Sequence, residues 1–152
     1  MRELVGDLIQ LALEGEFDLI IHGCNCFRSM EAGIAKAIKT QFPEAFEADL
    51  KTVSGDLEKL GTISWAKCHG YKGELIVVNA YTQYQFAGPA PLVDYDAIRQ
   101  SFRMIKEHFS GLKIGYPKIG AGLGGGDWKI ISKIIDEELI GEDHTLIIYG
   151  GQ

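Results

Sequence analysis

The sequence contains no glycine run ending in Gly-Lys-Ser or Gly-Lys-Thr, which excludes a P-loop and with it ordinary ATP or GTP hydrolysis. Basic residues are in deficit: 15 Lys and Arg stand against 21 Asp and Glu, for a formal net charge of −6. No basic stripe occurs, so direct binding to nucleic acid is not expected. Cysteine is scarce and odd in number, with three residues at positions 24, 26 and 68. That count does not read as a disulfide framework, and a reduced, cytoplasmic setting is expected. No apolar run approaches the roughly 18–20 residues of a membrane span, so no membrane contact is expected. No apolar segment follows a basic start after Met1-Arg2-Glu3, which leaves a secretory signal unsupported. His22, Cys24 and Cys26 lack a second cysteine pair nearby, which makes a poor zinc pattern. No metal and no cofactor is expected. The two cysteines read better as small buried apolar groups.

A length of 152 residues, 46% of them hydrophobic, fits one domain over 1–152 with a single well-formed core. Leu4-Val5 reads as a short strand and Leu8 to Glu14 as a short helix. Asp18 to His22 contains the unbroken run Leu19-Ile20-Ile21, which suits a strand covered on both faces. Ala32 to Thr40 and Glu44 to Val53 read as helices, the latter opened by Pro43. Gly61 to Lys67 and Leu75 to Ala80 read as paired strands around a turn at Gly70 to Gly73. Asp94 caps a helix carrying Ile98, Phe102, Ile105 and Phe109 at helical spacing. Lys113 to Tyr116 is a strand. Asp127 to Leu139 is a helix expected to turn Ile130, Ile131, Ile134 and Ile135 inward, and Thr145 to Tyr149 is the last strand. Strands alternating with helices predict a three-layer α/β/α sandwich with a mixed central sheet.

Two segments stand apart from this pattern. Ile21-His22-Gly23-Cys24-Asn25-Cys26 runs into Ala32-Gly33-Ile34-Ala35. About ninety positions on, Pro117-Lys118-Ile119-Gly120-Ala121-Gly122-Leu123-Gly124 continues to Gly126-Asp127-Trp128. Each is a strand, a small-residue loop and a helix start. Bare N–H groups in such loops make an anion cradle, and two cradles point to a ligand with two or more phosphates.

Together with Gly6-Asp7-Leu8, these segments resemble the macro domain family, which binds ADP-ribose. The resemblance spans nearly the whole chain. The His-Gly-Cys-Asn-Cys string, the Gly-Ile-Ala that follows and Phe42-Pro43-Glu44-Ala45 look most like the yeast-type ADP-ribose 1″-phosphate phosphatases. The pattern around Asp127 also resembles the terminal ADP-ribose protein glycohydrolases. That branch carries a catalytic Lys on a central strand near Val78-Asn79-Ala80, whereas no Lys occurs between Leu75 and Tyr84. This departure favours removal of a terminal phosphate, or binding alone, over deglycosylation through a Lys adduct.

The resemblance implies three catalytic candidates, His22, Asn25 and Asp127. It implies ligand contacts at Asp7, Leu8, Ala32, Gly33, Ile34, Ile119, Gly120, Ala121, Gly122, Leu123 and Gly124. Asp7 would accept from the adenine amino group, although Asp also caps a helix there. Asn25 would touch the distal ribose or orient a water, or it closes a turn on its own backbone. His22 is an acid or base near neutral pH, or a satisfied core residue. Asp127 is a base toward water, or a helix cap. Tyr81, Tyr84, Phe86, Trp128 and Tyr149 are further candidates for the pocket walls. The implied partner is ADP-ribose or its 1″-phosphate, with an ADP-ribosylated protein as the alternative.

Overall fold

Side chains alternate across a strand, so an unbroken apolar run must feed two cores at once. The computed structural model of the chain, which describes residues 1–150, shows this for Leu19, Ile20 and Ile21. Leu19 and Ile21 pack on one side of the sheet with Ile98, Phe102, Ile131 and Ile135. Ile20 packs on the other with Leu8, Ala12, Ile38 and Phe42. In chain order the elements are β1 (Arg2–Gly6), α1 (Leu8–Leu13), β2 (Leu19–Cys24), α2 (Gly33–Gln41), α3 (Pro43–Leu50) and a 3-10 turn (Leu57–Lys59). Then follow β3 (Ile63–Gly70), β4 (Gly73–Tyr81), α4 (Tyr95–Phe109), β5 (Lys113–Tyr116), α5 (Trp128–Glu138) and β6 (Asp143–Tyr149).

The six strands form one sheet in the order β1-β6-β5-β2-β4-β3. All neighbours are parallel except β3 and β4. Helices α4 and α5 cover one face and α1, α2 and α3 the other, which is the expected α/β/α sandwich.

The structure shifts several expected bounds. β2 continues through Gly23 and Cys24, because β4 pairs with it as far as Tyr81. The turn between β3 and β4 shrinks to Tyr71-Lys72, since Gly70 pairs directly with Gly73. α3 stops at Leu50, three residues short of Val53. Ile130 is 44% exposed rather than inward. It lies about a quarter turn from the stripe of Ile131, Ile134 and Ile135, outside the arc that α5 can bury.

Candidate functional site

Strands β2 and β5 both end at one edge of the sheet, and the segments that follow them fold over it. In open α/β sheets this is where ligands bind. A cleft of about 390 Å³ opens there, lined by Gly23, Cys24, Asn25, both glycine segments, Thr82, Gln83 and Phe86. A second cleft of about 770 Å³ lies beside α1 and is lined by Asp7, Leu8, Ile9, Ile147 and Tyr149. Gly33, Ile34 and Pro117 belong to both, so the two clefts are halves of one groove.

The middle of the groove is rich in backbone donors. Asp7, Asp94 and Asp127 each cap their helix with a side-chain oxygen, and α3 begins with Pro43, which has no N–H. α2 begins differently. Its N-cap is Ala32, which supplies no side-chain acceptor. The N–H groups of Gly33, Ile34 and Ala35 therefore have no intrahelical partner. Opposite them runs the second loop. Gly125 and Gly126 donate to the carbonyls of Gly122 and Gly120 at 3.0 and 2.7 Å, which curls the loop back on itself. The N–H groups of Gly120, Gly122, Leu123 and Gly124 donate to no acceptor among the described residues. Gly120 has φ +76°, and a Cβ there would stand 2.7 Å from Val93 Cγ2. Glycine is thus needed for both conformation and space.

The structure divides the candidate residues. Asn25, Ala32, Gly33, Ile34, Ile119, Gly120, Gly122, Leu123 and Gly124 all line the first cleft. Asp7 and Leu8 line the second. The Asn25 amide bridges its own loop: Oδ1 accepts from Phe27 N at 2.8 Å and Nδ2 donates to the Ser29 carbonyl at 2.9 Å. One N–H and one lone pair remain for a ligand. Asp7 Oδ1 accepts from Gln10 N at 3.1 Å as a helix cap, and Oδ2 has no hydrogen-bond partner among the described residues.

Three expected contacts fall elsewhere. Ala121 lines neither cleft; it packs against the core under the loop, and its N–H donates to the Lys118 carbonyl. His22 is fully buried beneath the groove floor, with Nε2 2.6 Å from Asn79 Oδ1. Burial lowers its pKa to about 4, against which the Asn79 bond works only in part. Asp127 also lines neither cleft. Its Oδ1 accepts from Lys129 N at 2.9 Å, and its own N–H donates to Tyr95 Oη at 3.0 Å. It is the cap of α5.

Cys24 Sγ lies 3.5 Å from His22 Nε2, yet burial pushes its thiol well up, so the pair does not favour a thiolate. Of the aromatic candidates, Phe86 and Tyr149 line the two clefts. Tyr81 is buried with its hydroxyl on Asp49, Tyr84 donates to the Gly55 carbonyl, and Trp128 packs on the core. Sequence reasoning passed over Glu31, Lys118, Gln83 and Thr82 as wall residues. Glu31 directly precedes Ala32 and Lys118 stands inside the second segment, which was the available signal. Thr82 and Gln83 carried none, because only the end of β4 brings them to the cleft.

A mixed sheet with helices on both faces, and a donor-lined groove across its strand ends, is the architecture of a macro domain. The macro domain family model matches residues 21–135, and the chain belongs to that family. A relative in Enterobacteria phage T4, an uncharacterized 17.5 kDa protein from the tk-vs intergenic region, is 36% identical over 141 residues. The match covers 90% of this chain and 88% of that relative. Among solved structures, a Bacteroides thetaiotaomicron protein of unknown function superposes with a TM-score of 0.78 at 24% identity, covering 97% of this chain and 99% of the other. Thermosipho africanus DarTG in complex with ADP-ribose gives a TM-score of 0.71 at 16% identity, over 100% of this chain and 43% of that one. At such identities the likeness establishes the fold.

Proposed function

We propose that the protein binds ADP-ribose lengthwise along the groove and removes the terminal phosphate from ADP-ribose 1″-phosphate. The observation that carries this reading is the groove's midpoint. There the uncapped start of α2 faces the open N–H groups of the Gly120 to Gly124 loop. Paired donor sets of this kind suit a diphosphate. The apolar cleft beside Leu8 and Ile147 suits an adenine ring, with Asp7 Oδ2 as acceptor for its amino group. The other cleft takes the distal ribose beside Asn25. The ADP-ribose complex of the Thermosipho africanus relative supports the same ligand.

In this reading water attacks the terminal phosphorus and the bond to the 1″ oxygen breaks. That oxygen leaves with a proton from solvent or from the phosphate itself. Loop N–H groups, and Lys118 as the cation among the cleft's lining residues, stabilise the equatorial oxygens. Positioning and fixed dipoles supply most of such catalysis. Asn25 orients the ribose or the water. His22 takes no part, since its ring is sealed from the groove.

A second reading is binding without turnover, favoured by the burial of His22 and the placement of Asp127 off the groove. Phosphorus NMR of ADP-ribose 1″-phosphate with the protein separates the two. Inorganic phosphate growing alongside ADP-ribose supports the phosphatase. Shifted diphosphate resonances without turnover support the reader. An unchanged spectrum removes the ADP-ribose reading itself.

A further inference from the structure

Behind the distal cleft lies a buried ion pair to which the binding reading gives no role. Asp49 of α3 and Lys59 of the 3-10 turn are 1% and 6% exposed, with Oδ1 and Nζ 3.8 Å apart. Burying two charges at that separation does not by itself favour folding, because desolvation offsets the attraction. The value of the pair lies in what each end holds. Asp49 Oδ1 accepts from the Tyr81 hydroxyl at 2.7 Å. Lys59 Nζ stands 4.6 Å from the centre of the Tyr81 ring and donates to the Cys26 carbonyl at 3.3 Å.

Cys26 is the residue after Asn25. Its carbonyl also accepts from Gly55 N at 2.7 Å, and its N–H donates to the Tyr84 carbonyl at 3.0 Å. Both backbone groups of Cys26 are therefore tied to segments outside its own loop. The Asn25 to Ser29 turn, closed by the Asn25 amide, is anchored at this point. Lysine chemistry suits such an anchor. Its long stem crosses the interior, and an ammonium holds a carbonyl more firmly than a neutral donor.

We propose that Lys59, acting through the Cys26 carbonyl, is a positioning residue that holds the Asn25 loop in the shape that receives the distal ribose. This rests on the reading of the groove as an ADP-ribose site. Asp49 neutralises the buried ammonium and, through Tyr81, sets its direction.

The test uses the double variant Asp49→Leu/Lys59→Met, which removes both charges together and leaves neither uncompensated. ADP-ribose spans both clefts, whereas AMP reaches only the apolar one. By calorimetry the variant loses roughly tenfold or more in affinity for ADP-ribose and less than about twofold for AMP. In parallel, amide exchange of Cys26 and Phe27 quickens while the β2 and β4 amides keep their protection. Equal losses for the two nucleotides, or unchanged exchange at these two amides, would overturn the proposal. If wild-type protein binds neither nucleotide, the ADP-ribose reading fails, and the exchange measurement alone then decides whether Lys59 holds the loop. Should that variant fail to fold, Asp49→Asn/Lys59→Gln takes its place. It keeps a polar interior, but its donor is one bond too short to reach Cys26, and the same pattern is expected.

Discussion

At the scale of single residues, the decisive fact is how differently burial treats the motif side chains. Asn25 and His22 lie three positions apart, yet Asn25 reaches the cleft and His22 is sealed under it. A histidine held neutral in the fold affects stability. Its pKa falls from the usual 6.5 to about 4 because burial penalises the imidazolium. Between those values the unfolded chain takes up a proton that the folded chain does not. Stability is therefore full above about pH 6.5, declines as pH drops toward 4 and levels off below. The contribution of His22 is about 3 kcal/mol. His144, also lowered chiefly by burial, adds a dependence of the same sign. Urea unfolding from pH 7.5 to 4 should thus show a steeper decline in wild type than in His22→Gln, whose amide does not titrate. Parallel curves would show that the ring is not held neutral.

Helix starts are where element-scale energetics and binding compete. α2 lacks the side-chain cap that Asp7, Asp94 and Asp127 give to their helices. Ala32→Asp should supply one, stabilising the fold by about 0.5–2 kcal/mol. The new carboxylate would also occupy the N–H groups meant for the diphosphate and repel it. Denaturant midpoint and ADP-ribose affinity are expected to move in opposite directions; a variant that gained both would break the link between the uncapped helix and the ligand. Asp127→Ala is the counterpart. It should cost about 1 kcal/mol of stability through the lost cap of α5. Its ADP-ribose affinity should match wild type in the same titration, because Asp127 lines neither cleft. A large affinity loss would return Asp127 to the site.

For the molecule as a whole, charge and site chemistry pull apart. The chain carries −6 overall, yet its proposed ligand is an anion. Uncharged N–H donors resolve this, since they attract phosphate without a basic surface. Binding of this kind releases few counterions, and salt also screens the repulsion between protein and ligand. Between 50 and 300 mM salt, ADP-ribose affinity should change by less than about threefold, against the steep fall of a cation-driven site. Calorimetry across that range decides it. A fall of about tenfold or more would shift the weight of binding from the backbone to Lys118.

The local sequence determined what depends on local chemistry. Alanine as the N-cap at 32 and glycine at 33, 120, 122 and 124 left backbone donors open, because those residues bring neither side-chain acceptors nor bulk. The run Leu19 to Ile21 dictated a strand covered on both faces, because alternation sends successive side chains to opposite sides. Only the tertiary structure decided which polar groups meet the ligand. His22 is withdrawn by Asn79, fifty-seven positions away, and Ala121 turns toward a core assembled from both halves of the chain. Lys59 reaches Cys26 only because α3, the 3-10 turn and the end of β4 pack together around Tyr81. Burial and partnership are properties of neighbours in space, and no spacing along the chain encodes them.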